Sequence, residues 1–313
     1  MKNFALSMPA FLLLILVAGQ SLTAQEKYTL KSAYPPGQYE MVTNIEMDMT
    51  IEMSGAKMPM QQTQTQYATI DAAERSADGT QKVVMEFTRV TISSKASIAN
   101  LKYDSADPDA DKSPMKAAGV LVGMKFTMLL DKDGKTIKVE GLDEFFDKLM
   151  NNPDYPKQVA EMLRGQMTDE SMTRSVDVAK DMMPKNPVAV GETWKTEGSS
   201  EVPMLGKVKT NLVNTLKEIK TEDSKKIAVI LSKSTISSEE LKEISMQGMK
   251  MTFTKADISA DTTALVDLES GLLQKSTADM EIAMEISMDM NGRTMQQKVS
   301  GKGKTTVTVT PKK

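Results

Sequence analysis

The sequence predicts an α+β fold: a large, curved, mostly antiparallel sheet, or two joined β halves, with a helical segment packed against it. Three observations carry this expectation. First, two distant stretches alternate apolar and polar residues. Ile45, Met47, Met49, Ile51 and Met53 interleave with Glu46, Asp48, Thr50 and Glu52, and Met280, Ile282, Met284, Ile286, Met288 and Met290 interleave with Glu281, Ala283, Glu285, Ser287 and Asp289. Successive side chains of a strand point to opposite faces, so each stretch gives one oily face and one wet face. Second, turn dipeptides punctuate the alternation: Asp78-Gly79, Asp133-Gly134, Ser270-Gly271 and Asn291-Gly292. Asn-Gly is the strongest of these, since both residues tolerate positive φ. Third, the period changes between Leu142 and Met183, where Leu142, Phe145, Phe146 and Leu149, then Val159, Met162 and Leu163, follow helical spacing.

The elements follow in order. Lys2 and the apolar run Phe11–Val17 read as a secretory signal, with cleavage placed after Ala24. That run is too short to span a bilayer, and no later stretch is long and apolar enough to do so. The expected product is therefore exported, periplasmic or extracellular, and not an integral membrane protein. An N-terminal β region, 25–141, should hold strands near 39–54, 58–70, 81–93, 124–131 and 135–140. The Asp133-Gly134 hairpin joins Phe126, Met128 and Leu130 to Ile137 and Val139. The polar stretch 100–115, with Pro108 and Pro114, reads as an exposed loop. In a helical segment, 142–187, Pro153 and Pro156 separate two short helices. Thr168 caps a third that runs towards Met182 and Met183 before Pro184 and Pro187. A C-terminal β region, 188–313, should hold strands near 193–199, 206–217, 226–234, 248–257, 261–268, 272–290 and 294–310. Residues 25–313 are expected to form one structural unit.

Composition excludes several classes of function. The chain has 313 residues, no histidine, no cysteine and a formal charge of −3. Without histidine the commonest general base and transition-metal ligand are missing, and Ser-His-Asp and Cys-His catalysis are impossible. Without cysteine there are no disulfides, no thiolate zinc sites and no lipid attached through sulfur. No run of Lys or Arg marks a nucleic-acid or anionic-membrane surface. No phosphate loop or nucleophile elbow occurs. The expectation is a non-enzymatic protein with no cofactor.

The candidate site is the methionine itself. The chain holds 27 Met against one Trp, six Tyr and seven Phe. A methionine-filled core is one reading, because the flexible thioether fills irregular gaps. The other is a deformable apolar groove for lipid or acyl chains, lined by Met47, Met49, Met53, Met284, Met288 and Met290. Leu or Ile would pack a fixed core more specifically, which lends the groove some weight against the filled core. Cu(I) binding by Met47-x-Met49, Met58-x-Met60 or Met249-x-Met251 has softness alone behind it, and oxidant scavenging has less. Asp107-Pro108-Asp109-Ala110-Asp111 opens like a calcium loop, but Lys112 stands where the turn needs Gly and Ala118 where the bidentate Glu belongs, so it reads as a solvated turn. Glu46, Asp48 and Glu52 fall on one face, as do Glu281, Glu285 and Asp289. They repel within each strand and read as solubilising surface. Trp194 reads as a core anchor or a cover over a sheet edge. The expected partner is an apolar small molecule, or alternatively an envelope protein docked on a module with a filled core.

Several short motifs resemble the uncharacterised exported bacterial family numbered 6263 among domains of unknown function. They are Tyr28-Thr29-Leu30-Lys31 with Pro36-Gly37-Gln38-Tyr39, Phe87-Thr88-Arg89-Val90, Tyr103-Asp104-Ser105, Asp131-Lys132-Asp133-Gly134-Lys135, Val190-Gly191-Glu192-Thr193-Trp194 and Asp267-Leu268-Glu269-Ser270-Gly271-Leu272. The resemblance implies export and a β-rich fold and brings no catalytic residues. At the level of fold the chain is also similar to periplasmic lipoprotein carriers with a strongly bent sheet.

Overall fold

The computed structural model describes residues 25–96, 99–113, 115–152, 157–202, 206–240, 243–246, 249–290 and 293–312. The signal segment, Pro153, Pro156 and the Asn291-Gly292 turn lie outside the described residues. The chain forms β1 (Lys27–Tyr28), β2 (Gly37–Met53), β3 (Ala56–Ala72), β4 (Gln81–Ala96), β5 (Ala99–Asp104), β6 (Lys125–Leu130) and β7 (Thr136–Glu140). Three helices follow, α1 (Leu142–Met150), α2 (Lys157–Gln166) and α3 (Asp169–Asp181). Then come β8 (Val188–Ala189), β9 (Thr193–Val202), β10 (Gly206–Glu222), β11 (Lys225–Glu240), β12 (Glu243–Met246), β13 (Met249–Asp267), β14 (Leu273–Met290) and β15 (Arg293–Pro311).

One 13-stranded sheet takes all of these strands except β1 and β8, which pair with each other. Its order is β7-β6-β4-β3-β2-β15-β14-β13-β11-β10-β9, with β5 added on β4 and β12 on β13, and its pairings are antiparallel. The first and last long strands lie side by side, with Met49 opposite Gly301. The sheet is open, with β7 and β9 at the ends of the path.

The core occupies one end of one face. Tyr39, Ile70, Val83, Phe126, Met128 and Val139 of the sheet belong to the same buried cluster as Leu142, Phe146 and Leu149 of α1. Those three recur at helical spacing, and Asp143 and Glu144 sit in the first turn, where acidic residues suit the helix dipole. Gly141 starts the helix at φ 97°, and a Cβ there would meet the Lys125 carbonyl oxygen at 2.9 Å, so glycine is required twice over. The Thr168 hydroxyl accepts from the Ser171 N–H at 3.2 Å and caps α3. A second cluster joins Leu30 and Val188 to Leu216, Ile230, Ala264 and Val266 of the sheet.

Three expectations need correction. The two strands expected at 248–257 and 261–268 are one, β13 (Met249–Asp267), paired without interruption from Asp257 to Asp261 and bulged between Phe253 and Lys255. The stretch 100–115 is not a simple loop. β5 pairs with the far half of β4, and Tyr103 is buried against Val90 and Ile92. Arg89 clamps it by donating to both carboxylate oxygens of Asp104 at 2.9 and 2.5 Å. Finally, Ile137 is 58% exposed while Thr136 is buried. A bulge in the β6–β7 pairing shifts the phase of the alternation, and the Thr136 N–H and hydroxyl both donate to Asp177 of α3.

Candidate functional site

Cross-strand partners in an antiparallel sheet project to the same side. Register therefore assembles the methionines into rows that cross the sheet. Met47 on β2 stands opposite Gly303 on β15, which stands opposite Met280 on β14 and then Ala260 on β13. One step along, Met60, Met49, Gly301, Ile282 and Ile258 make the next row, and Met58, Ile51, Val299, Met284 and Ala256 the one after. Beyond these, Met53 opposes Gln297, and Met288 stands between Met295 and Met251. The two ladders read from sequence thus share one face of one sheet.

Met47, Met49, Met53, Met284 and Met288 are all half-buried on that face. The backbone of Met290 pairs with Met249 and Arg293, and its side chain lies outside the described residues. Small residues alternate with the thioethers. Val299 and Ala256 are buried between and beside Ile51 and Met284, and Phe253 is buried beside Ile286.

The sequence reading missed the two glycines that set this packing. A Cβ at Gly303 would lie 2.6 Å from Met47 Sδ and 3.1 Å from Met280 Cε, so methionines from strands on both sides reach over the same bare backbone. A Cβ at Gly301 would collide with the Asp48 carbonyl oxygen and lie 2.9 Å from Met49 Cα. The signal was available. Glycine inside a strand marks a close backbone approach, and Gly301-Lys302-Gly303 interrupts an otherwise regular strand.

The same face changes character along its length. Towards the start of β2 it is the covered core, whose members reach Met41, Val307, Ala264 and Ile230. The next row, Asn214, Ser232, Thr262, Ala278, Thr305 and Ile45, carries amide or hydroxyl groups at four of its six positions. The methionine rows lie beyond it. Trp194 on the end strand β9 is half-buried beside Asn214, and its indole N–H donates to the Met182 carbonyl at 2.9 Å, so it spans edge and cover.

The opposite face is charged, but not as two blocks of repelling carboxylates. β15 places Lys298, Lys302 and Lys304 between the acidic residues of β2 and β14: Asp48–Lys302–Glu281 and Glu46–Lys304–Asp279 are rows. Lys302 Nζ lies 3.2 Å from Glu281 and Lys298 Nζ 3.6 Å from Glu285. Opposite charges facing across strands stabilise the pairing modestly. An open depression of about 440 Å³ is bordered by Glu46, Asp48, Lys95, Asp279, Lys302 and Lys304. Another of about 580 Å³ is bordered by Thr235, Asp257, Ser259, Glu281 and Ser300 over Ile258 and Ile282.

The acidic turns hold their own backbone. Asp131 Oδ1 accepts from the Asp133 and Lys135 N–H groups, and Asp107 Oδ1 from Asp109. Among the described residues no three Asp or Glu side chains converge as a metal site would require. Met49 and Met60 face each other across β2 and β3, whereas the Met249 side chain lies outside the described residues. No described helix is long and apolar enough to cross a membrane, which says nothing of strands.

The model of a family of unknown function, DUF6263, matches residues 78–273. No curated protein matches the chain. Among solved structures, it is similar to a lipovitellin chain from a study of lipid–protein interactions, at 8% identity and a TM-score of 0.44, over 90% of this chain and 26% of that one. The chain thus spans about a quarter of the lipovitellin length. It is similar to the outer membrane protein OprG of Pseudomonas aeruginosa at 8% identity and a TM-score of 0.25, over 90% and 100%. A DUF1329 family protein of Desulfovibrio piger aligns at 7% identity and a TM-score of 0.13, over 83% of each. Scores this low carry no functional argument.

Proposed function

The chain belongs to DUF6263, a family of unknown function, and from that premise we propose that it is an exported, non-enzymatic binding protein that holds a lipid or acyl chain against the methionine face of its sheet. One observation carries the reading. The apolar face continues past the covered core as rows of half-buried thioethers, so apolar area remains for a ligand to remove from water. The rows pair long flexible side chains with Gly, Ala and Val, which leaves the thioethers room to repack around chains of different shape. From Ile45 to Met53 the face runs roughly 26 Å at about 3.3 Å per residue. One leaflet of a bilayer's hydrocarbon is about 15 Å thick, so one acyl chain fits lengthwise.

Native mass spectrometry after detergent-free purification tests the proposal. The expected spectrum carries adducts with acyl-chain masses that vanish on organic extraction. A clean apo mass, together with no uptake of added palmitate, would overturn it. That outcome favours the other reading, an envelope interaction module. Met58, 38% exposed on the same face, is the feature such a partner would cover.

A further inference from the structure

Asn214 is fully buried on the methionine-bearing face, one row along and three strands across from Met280, and among the described residues its side-chain Nδ2 has no hydrogen-bond partner. Its Oδ1 accepts from the Ser232 hydroxyl at 2.5 Å, and Ser232 is itself buried. Leaving a buried donor unmade is destabilising, and burying the amide between Leu212 and Leu216 of the same strand gives it no solvent to turn to. The hydroxyls of Thr262 and Thr305 continue the band across the sheet. The face therefore has a direction: closed core, then polar band, then thioethers.

Resting on the reading above, we infer that Asn214 is the head-group donor of the site. Its Nδ2 hydrogen bonds to a carbonyl or carboxylate oxygen of an amphiphile whose chain runs across the sheet over Ser234 and Ala260 towards Met280, about 16 Å away at ~4.8 Å per strand and ~3.3 Å per residue. The ligand class narrows to acyl compounds with an acceptor oxygen at one end, as opposed to plain hydrocarbons. Trp194 is the register partner of Asn214 and, with Leu212, the half-buried cover that an entering head group displaces. It is also the only tryptophan in the chain, so its emission reports that step and no other.

The test uses the full mature chain, palmitate, and 1-hexadecene of matching length delivered from cyclodextrin. Palmitate should shift Trp194 emission and perturb the Asn214 side-chain amide signals in ¹⁵N NMR, whereas hexadecene should bind without either change. Asn214→Leu should weaken palmitate about tenfold, or ~1.4 kcal/mol, and leave hexadecene unaltered. If both probes bind wild type but palmitate leaves Trp194 and the Asn214 amide untouched, the head-group assignment falls and the binding reading stands. If neither probe binds, both fall. Should Asn214→Leu fail to fold, the two wild-type spectroscopic readouts decide alone.

Discussion

The two ends of one sheet face are built from the same alternation and end in different states. At the covered end Tyr39, Ile70, Met85 and Phe126 belong to one buried cluster with Phe146 and Leu149 of α1. At the far end Met47, Met49, Met284 and Met288 stay half-buried, although β2 and β14 carry the period-two pattern without interruption. The pattern decides which residues share a face. What covers that face comes from elsewhere in the chain, here the helices and the segments around Leu30 and Val188. Methionine serves both ends: Met85, Met124 and Met128 are buried at the covered one, whereas Met47, Met49, Met284 and Met288 stay half-buried at the open one, beside Gly301, Gly303 and Ala256.

The largest effect expected from breaking the comparison is at Phe146. Phe146→Ala removes a side chain that is 1% exposed and should cost about 3–5 kcal/mol, as large-to-small core substitutions do. Met284→Ala should cost about 1 kcal/mol, because a side chain already half in water has less burial to lose. Urea unfolding of both variants measures this. Equal losses would mean that the methionine rows are an ordinary core.

Much of this was legible in the sequence. Alternation located the long strands, and the Asp-Gly turns placed the hairpins. The apolar spacing of Leu142, Phe146 and Leu149 found α1, and Thr168 announced the start of α3. What escaped depends on partners distant in the chain. The bulge in the β6–β7 pairing turns Ile137 outward and accompanies the hydrogen bonds from Thr136 to Asp177 of α3, a partner 41 residues away. The lysines that neutralise the acidic ladders sit on β15, some 250 residues from β2 in sequence yet beside it in the sheet. The site was legible as a set of residues but not as a surface. Gly301-Lys302-Gly303 signals a close approach within β15 alone, but which methionines the glycines face, and where Asn214 lies relative to them, arise from register between strands.

The glycine seam sharpens the comparison at an intermediate scale. Gly301→Ala should cost about 1–3 kcal/mol, since its methyl meets the backbone of Asp48 and Met49 and the β2–β15 pairing must shift. Gly303→Ala meets its tightest contacts at the flexible ends of Met47 and Met280, which can swing away, and reaches the Glu46 carbonyl oxygen only at an ordinary 3.4 Å, so it should cost less than about 1 kcal/mol. A thermal-melt series ranks them. If Gly303→Ala proved the worse, the thioethers over it would be rigid and the face a poor host for varied chains.

A modest effect, confined to acid, separates the two ends by pH. Asp267 is buried in the turn between β13 and β14 at the covered end, where its Oδ1 accepts from the N–H groups of Glu269 and Ser270, both at 3.0 Å. Burial opposes its ionised form, but the hydrogen bonds from Ser270 and Glu269, with Lys225 nearby, outweigh it and hold the carboxyl below its ordinary value. A lowered folded-state value means that the unfolded chain takes up the proton first. The stability Asp267 contributes is therefore complete above the unfolded value of about 3.9 and is lost as pH falls through the lower folded one. Asp267→Asn keeps the shape and removes the titration. Wild type should melt higher than the variant at neutral pH by the equivalent of about 1 kcal/mol, and the gap should close in acid. In wild type, amide exchange should quicken first at Gly271, whose N–H donates to the Asp267 carbonyl, and at Leu272, whose N–H donates to the Ser270 hydroxyl, and later among the methionine rows. Melting curves that stay parallel from neutral pH into acid would detach the covered end from this carboxylate.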